Sequence, residues 1–279
     1  MNQIRTKGGV LLGALVSGAL AAGALTGAPT ANASCASFFG IGNSADCISN
    51  LTSVAIAIGT NAQAHADGLF GAAFSIGTKA DAATFNAFTF AAAAGFGAEA
   101  DAGGAFGIAA QLGQNGITTV GGSVLNIAVG VSPGTPTLLG TYVQAYGVGN
   151  VAVNLFGTGN VKFGHRVIAS GYGNIAANLG GSNDRVEAGQ AGAVNVAFNM
   201  LGSGNDVEAG PGPVAVAGSI GQTNTTVIKK GPGFNINGIR VPNTAAAVGG
   251  TKTSAPTATA GHTGARTAAS AAASSHSKP

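Results

Sequence analysis

The sequence predicts an all-β protein built as a parallel β-solenoid of about nine coils, followed by a disordered C-terminal tail. A short apolar phrase recurs at intervals of 16 to 24 residues, which is the length of one solenoid coil. Side-chain character also alternates within each phrase, as in a β-strand. The nine copies end at Ile58, Ile76, Phe96, Leu112, Val131, Leu155, Leu179, Met200 and Ile220.

Alternation separates two faces of each predicted strand. In the copy at 151–155, Val151, Val153 and Leu155 point to one side, while Ala152 and Asn154 point to the other. We expect the larger apolar side chains to form the core wall. A helix is disfavoured, because the apolar residues do not follow three- and four-residue steps and each internal glycine would cost about 1 kcal/mol.

The opposite face carries alanine three residues before the end of every phrase. Solvated sheet faces usually carry larger polar side chains, so a column of alanine indicates that something approaches closely. The sequence leaves open a second sheet of the same coil, a second chain or the tail. We therefore predict an interaction surface at Ala152 and Ala176, with Asn154 and Asn178 beside them. The column consists of Ala55, Ala73, Ala93, Ala109, Ala128, Ala152, Ala176, Ala197 and Ala217.

Asparagines recur beside this column in the later copies, at Asn154, Asn178 and Asn199. At a strand spacing of about 4.8 Å, stacked amides can hydrogen-bond from coil to coil. The functional alternative is a row of asparagines that binds a ligand or a glycan.

A shorter polar strand follows the turn after most phrases. Two strands and two glycine-rich turns then complete one coil, and nine coils would give a rod about 40 Å long. The predicted second strands lie at 62–67, 80–82, 98–102, 161–163, 186–189, 207–210 and 227–230.

The ends of the chain predict export. Residues 1–33 have a basic start, an uncharged apolar core and a cleavage site at Ala31–Ala33, as in a signal peptide. In the next segment, 34–52, we expect Cys35 and Cys47 to form a disulfide that closes an N-terminal cap, contributing about 2 to 4 kcal/mol. The solenoid occupies 53–240, and the Ala/Ser/Thr-rich tail occupies 241–279.

The low net charge of the chain limits the partners that it can bind. The formal net charge is +3, and removal of Arg5 and Lys7 leaves +1, so we expect no binding of nucleic acid. The uncharged stretch 82–98 is shorter than the ~20 residues of a membrane span, so we expect no transmembrane segment in the mature chain. The partners that stay open are a second copy of the chain and an envelope or host-surface ligand.

Few side chains could carry chemistry. The best cluster is Asp184, Glu187, Asp206 and Glu208 on successive coils, which could act as a general acid and base on a glycan. Turns around Asp184 and Asp206 also approximate the repeat of calcium-binding β-rolls, which makes these two the candidates for a metal.

The resemblance to known families rests on the repeats. Residues 53–103, through Ser53–Gly68 and Phe74–Ala82, resemble the head repeats of trimeric autotransporter adhesins, which implies a left-handed parallel β-roll with an adhesive role. The Gly-x-Gly-Asn turns of the second half resemble repeat regions of secreted Gly/Ala-rich mycobacterial proteins. That resemblance implies an exported location. The turns lie at 147–150, 157–160, 171–174 and 202–205.

From the sequence we expect a secreted structural or adhesive cell-envelope protein that has no catalytic activity, cofactor or metal. The alternatives are a glycan-active β-helix enzyme, either a lyase or a hydrolase, and a calcium-binding β-roll.

The first prediction concerns processing. The exported protein should begin at Ser34 and contain no free thiol. Intact mass before and after alkylation under denaturing conditions measures both. Two alkylated cysteines would contradict the disulfide, and an added diacylglycerol mass would identify a lipoprotein instead.

Overall fold

The computed structural model describes residues 34–133, 140–159, 165–190 and 192–242. Across these ranges every regular secondary-structure element is a β-strand, and the chain forms a parallel β-solenoid of about nine turns. The predicted signal peptide and all but the first two residues of the predicted tail lie outside the described residues. Those two residues, Val241 and Pro242, belong to the last strand.

The strands follow one another along the chain with turns between them. The first eleven are β1 Ser34–Phe38, β2 Ile41–Gly42, β3 Cys47–Ser49, β4 Val54–Ile58, β5 Gln63–Ala66, β6 Ala72–Ile76, β7 Asp81–Thr84, β8 Phe90–Ala94, β9 Glu99–Ala102, β10 Ile108–Gly113 and β11 Ile117–Val124. The others are β12 Ile127–Ser132, β13 Thr141–Val148, β14 Val151–Leu155, β15 His165–Tyr172, β16 Ile175–Leu179, β17 Arg185–Ala188, β18 Val196–Met200, β19 Asp206–Ala209, β20 Ala215–Ile220, β21 Thr226–Lys229, β22 Gly233–Ile236 and β23 Ile239–Pro242.

These strands form two sheets, because each coil contributes one strand to each. Sheet A has 13 strands in the order β2-β1-β4-β6-β8-β10-β12-β14-β16-β18-β20-β22-β23. Sheet B has 10 strands in the order β21-β19-β17-β15-β13-β11-β9-β7-β5-β3. Pairing from coil to coil is parallel. Among the described strands, antiparallel pairing occurs only at the two ends of sheet A, with β1 and β2 at one end and β23 at the other.

The predicted disulfide is confirmed. It joins Cys35 of β1 to Cys47 of β3, with the two Cα atoms 5.6 Å apart. Because β1 belongs to sheet A and β3 to sheet B, the bond ties the two sheets together at the N-terminal end. The hydroxyls of Ser37 and Ser49 form a buried hydrogen bond of 2.7 Å between the same two strands.

All nine predicted phrases contain a strand of sheet A, but one register differs from the prediction. Ile76 pairs with Ala94, so the third strand ends at Ala94 and not at Phe96, and Ala91 occupies the alanine column instead of Ala93. The spacing of the first coils is therefore a uniform 18 residues from Ile58 to Leu112. Because residues 91–94 are all alanine, the sequence does not distinguish this register from one shifted by two residues. A shift of two residues leaves every side chain on the same face of the sheet.

The alanine column faces the inside of each coil, and the larger apolar side chains face outward. Ala55, Ala152 and Ala176 have 0% exposure, whereas Ile58 is 39% exposed. The expected core wall of large side chains is therefore wrong. In the N-terminal half most inner residues of sheet B are also alanine, such as Ala64. The interior between the sheets is therefore filled there mainly by small side chains.

The close neighbour that the alanine column implied is the second sheet of the same coil. Ala152, Ala176, Asn154 and Asn178 are all buried within a single chain, with exposures of 0% or 1%. The predicted interaction surface at these four residues is thus corrected: they belong to the interior of the solenoid.

The asparagines form ladders along that interior. Asn178 Nδ2 donates to Asn154 Oδ1 at 2.9 Å, and Asn199 Nδ2 donates to Asn178 Oδ1 at 2.8 Å. In a second ladder the side-chain oxygen of each asparagine accepts from the backbone N–H one coil further on, as from Asn150 to Asn126 and from Asn174 to Asn150. The ladders satisfy polar groups that would cost about 1–3 kcal/mol each if buried without partners.

Most of the predicted second strands are present as β5, β7, β9, β17, β19 and β21. The predicted strand at 161–163 lies outside the described residues, and the second strand of that coil is β15. Sequence alternation also missed β11 and β13. These two strands and β15 have eight residues each, twice the length of the sheet B strands on either side of them, so the coil widens in the middle.

The second prediction compares two adjacent alanines of β16. Ala176→Leu adds three carbons to the filled interior and should lower the free energy of unfolding by about 1–3 kcal/mol. Ala177→Leu places the same atoms on the outer face and should change it by no more than about 0.5 kcal/mol. Urea denaturation of the two variants measures the difference, and equal midpoints would show that Ala176 does not face a filled interior.

Candidate interaction surface

The outer side of sheet A presents apolar side chains at every outward position of its ten parallel strands. We call this surface the apolar face. It consists of Val54, Ile56, Ile58, Ala72, Phe74, Ile76, Phe90, Ala92, Ala94, Ile108, Ala110, Leu112, Ile127, Val129, Val131, Val151, Val153, Leu155, Ile175, Ala177, Leu179, Val196, Phe198, Met200, Val216, Gly218, Ile220, Phe234 and Ile236.

Large side chains of this face are open to solvent in the single chain. Ile76 is 54% exposed, Leu112 is 46% exposed and Ile220 is 42% exposed. The members that are not exposed, apart from Gly218, are half-buried by their neighbours, and they include Phe74, Phe198 and Met200. Only Gly218 is covered, since the ring of Phe198 on the adjacent strand lies where a side chain at position 218 would begin. The exposed apolar surface therefore extends along all ten strands.

A column of corner residues extends the face by one position. These residues lie two positions before the first outward residue of a sheet A strand and are all about half exposed. Each has a left-handed backbone, with φ between 54° and 58°, which costs about 1–2 kcal/mol per residue for a side chain other than glycine. The column consists of Phe70, Phe88, Phe106, Leu125, Val194 and Val214.

Backbone geometry alone would favour glycine at these corners, and glycine does occupy the equivalent places at Gly149 and Gly173. Valine is among the residues least suited to this conformation. Retention of apolar side chains in strained positions indicates that their contacts are useful to the molecule.

Three aromatic residues of the corner column stack on one another. The ring centroids of Phe70 and Phe88 are 5.2 Å apart, and those of Phe88 and Phe106 are 5.0 Å apart with an interplanar angle of 6°. Phe74 and Phe90 make a third contact between coils, on the apolar face itself, at 5.8 Å. Stacking fixes these exposed rings as a rigid edge of the surface.

The outer side of sheet B differs in character, because its outward positions carry the charged side chains of the strands. Arg185 pairs in register with Asp206, and Glu187 pairs with Glu208. Arg185 donates to Glu187 through Nε at 3.0 Å and Nη2 at 2.8 Å, and its Nη1 lies 3.4 Å from Asp206.

The predicted cluster of carboxylates is therefore divided. Glu187, Asp206 and Glu208 lie on the outer side of sheet B, and Glu187 is held by Arg185, by Arg166 at 3.6 Å and by the amide of Gln190. Asp184 precedes β17, points into the coil and is fully buried. The structure brings three of the four predicted residues together and separates the fourth from them.

Asp184 lies in an interior column with His165 and Asn205. Its backbone N–H donates to Nδ1 of His165 at 3.1 Å, and its Oδ1 accepts the backbone N–H of Asn205 at 2.9 Å. Burial raises the pKa of Asp184 to about 6, although the bond from Asn205 opposes the shift. Burial also lowers the pKa of His165 to about 4. The carboxylate completes a ladder of backbone hydrogen bonds between coils.

Metal binding at the predicted candidates lacks converging ligands. Asp184 and Asp206 point to opposite sides of sheet B. Within 34–133, 140–159, 165–190 and 192–242, no three side chains of His, Cys, Asp or Glu are placed to share an ion.

The alternation in the sequence does not identify the apolar face as exposed, because large apolar side chains ordinarily predict burial. A signal was present in the sequence: the corner phenylalanines recur at a period of 18 residues in the segments 68–71, 86–89 and 104–107. Each of them lies two residues before the first outward residue of a sheet A strand. It therefore continues the series of alternate positions that point outward.

No helix in the described part of the chain has the length and hydropathy of a membrane span. Comparison of the chain with protein-family models, with curated proteins and with solved structures gave no match. The function of the chain is therefore inferred from its own residues and geometry.

The third prediction concerns Asp184. Its folded pKa lies above the ordinary value of 3.8, so ionisation opposes folding at pH 7, and this cost disappears as the pH falls through about 6 towards 4. Asp184→Asn keeps an acceptor for Asn205 and removes the charge. It should raise the free energy of unfolding at pH 7.5 by about 1–3 kcal/mol.

Urea denaturation at pH 7.5 and pH 4.5 tests this sign. The advantage of Asp184→Asn over the unaltered protein should shrink at pH 4.5, while His165 lowers the stability of both proteins between about pH 6.5 and 4 because its folded pKa is depressed. Asp67→Asn, at an exposed carboxylate, is the control and should show no comparable gain at pH 7.5. A loss of stability in Asp184→Asn at pH 7.5 would show that the buried charge is stabilising.

Proposed function

We propose that this chain is a secreted structural or adhesive protein of the cell envelope that acts by surface contact and not by catalysis. One observation carries the proposal: every outward position of ten neighbouring strands is apolar, and nine large side chains there, among them Ile76, Leu112 and Ile220, are exposed. A surface of this kind gains free energy when it is removed from water.

The size of the apolar face supports contact with something large. Ten strands at the normal spacing and five residues per strand give about 43 Å by about 17 Å, or about 700 Å². The largest apolar patch on an ordinary monomeric protein is about 300–600 Å² and often serves binding. The corner column beside the face, with its apolar side chains on a strained backbone, also supports a contact function.

The arrangement of two of the predicted carboxylates, Asp184 and Glu187, supports a role without chemistry. Asp184 completes an interior ladder, and both oxygens of Glu187 accept hydrogen bonds from Arg185. A general base needs a free oxygen aimed at a substrate. The glycan-active enzyme therefore has less support than surface contact.

Export is supported by two features. The predicted signal peptide directs secretion, and the disulfide between Cys35 and Cys47 is of the kind that persists in oxidising compartments. A cell-envelope location follows from these features together with the exposed apolar face.

The fourth prediction tests the contact function. The purified exported protein should sediment with envelope material from the producing cells and release no soluble sugar from it. Ile175→Lys places a charge on the apolar face, and it should lower the bound fraction by about tenfold or more. The combination of Asp206→Asn and Glu208→Gln should bind as the unaltered protein does.

Two outcomes would contradict the proposal. Equal retention of Ile175→Lys and the unaltered protein would show that the apolar face makes no contact with the envelope. Reproducible glycan cleavage that disappears in the Asp206→Asn and Glu208→Gln protein would identify the chain as an enzyme.

A further inference from the structure

We propose that the apolar face packs against the same face of a second copy of this chain, with the two solenoid axes antiparallel around a two-fold axis. The inference rests on the proposed function, because it names the partner of the contact surface. The area, the composition and the relief of the apolar face support this pairing.

The area fits a pair of copies. The apolar face covers about 700 Å² before the corner column is added, and stable protein interfaces bury about 800 Å² on each partner. A second copy would therefore cover the exposed face in one contact. Association edge to edge through sheet A is disfavoured, since its edge strands β2 and β23 have only two and four residues.

Composition makes the face complementary to itself. It carries no side chain with a charge or a hydrogen-bonding group, so two copies meet without like-charge repulsion and without burying an unpaired polar side chain. A lipid surface is the less favoured partner, because interfacial binding uses lysine and arginine beside the apolar residues. None of the described lysines and arginines lies on the ten parallel strands that form the face: Arg166, Arg185 and Lys229 belong to sheet B, Lys79 and Lys230 to connections between strands, and Arg240 to β23.

Relief along the middle row of the face favours the antiparallel arrangement. Taken in coil order, this row is Ile56, Phe74, Ala92, Ala110, Val129, Val153, Ala177, Phe198, Gly218 and Ile236. Reversal of the row about its centre sets Phe198 of one copy opposite Ala92 of the other. Gly218 offers no hollow for Phe74, because the ring of Phe198 already covers it. In the parallel arrangement each phenylalanine would meet its own copy. Packed sheets interdigitate, so large against small is the better fit.

The first test uses two isoleucines with the same exposure, 36%, on opposite sheets. Ile127 begins β12 on the apolar face, and Ile117 begins β11 on the outer side of sheet B. By light scattering the unaltered protein should have twice the mass of one chain. Ile127→Lys should weaken the association by about tenfold or more, and Ile117→Lys should leave it unchanged.

Circular dichroism shows that each variant is folded, and Ile175→Lys gives a second site on the face if Ile127→Lys fails to fold. A monomeric unaltered protein across the micromolar range would overturn the proposal. So would an equal loss of association in Ile117→Lys, or a dimer that both face variants leave intact. A monomer that binds vesicles of zwitterionic lipid would identify the partner as a lipid surface.

The second test determines orientation. Reversal of the middle row sets Ala110 opposite Ala177 of the other copy, whereas within one chain they are three strands apart, about 14 Å, which is too far for a disulfide. A mixture of Ala110→Cys and Ala177→Cys proteins should form the mixed covalent dimer under mild oxidation. Preferential cross-linking of Ala110→Cys to itself would show a parallel pair and overturn the antiparallel arrangement.

Failure of this inference is distinguishable from failure of the proposed function. A monomer that is retained by envelope material through its apolar face would refute the second copy and keep the contact function. A second copy and the envelope would compete for this one face. A protein that pairs as proposed but is not retained by envelope material even at dilutions at which the dimer dissociates would therefore keep the pairing and refute the adhesive role.

Discussion

The close approach of the two sheets within each coil constrains the rest of this protein. Alanine at the inner positions of both sheets, as at Ala55 and Ala64, leaves an interior that is filled by methyl groups. Such packing supplies little apolar burial per residue. Stability therefore depends strongly on the backbone hydrogen bonds that join each coil to the next, and on the disulfide that fixes the first coil.

The interior changes along the rod. From β11 onward the inner positions of sheet B include valine, as at Val143 and Val186, and from β14 onward those of sheet A include asparagine, as at Asn154 and Asn178. These larger side chains fill the interior of the later coils, and asparagine also bonds to neighbouring coils. Asp184 and His165 take part in the same kind of ladder, in which a side-chain acceptor in one coil accepts a hydrogen bond from a backbone N–H of the next coil.

A narrow interior also explains the exposed surface. Large apolar side chains that do not fit inside must point outward, and on sheet A they do so at every coil. Sheet B carries charged and polar side chains at many outward positions, so the two sides of one rod have different chemistry. The contact proposed for the apolar face follows from this difference, and the left-handed phenylalanines and valines at its corner broaden it at a cost in backbone strain.

Periodicity in the sequence determined the solenoid, the number of coils and the position of most strands, because a strand displays its alternation and a coil displays its length. Spacing and compartment likewise predicted the pairing of Cys35 with Cys47. Which face pointed inward was decided only by the tertiary structure. Alternation defines two faces but does not say which one the chain encloses, and here the distance between the sheets admitted Ala152 and excluded Val153. The same choice put Asn154 inside, separated Asp184 from Asp206 and left the apolar face open to a partner.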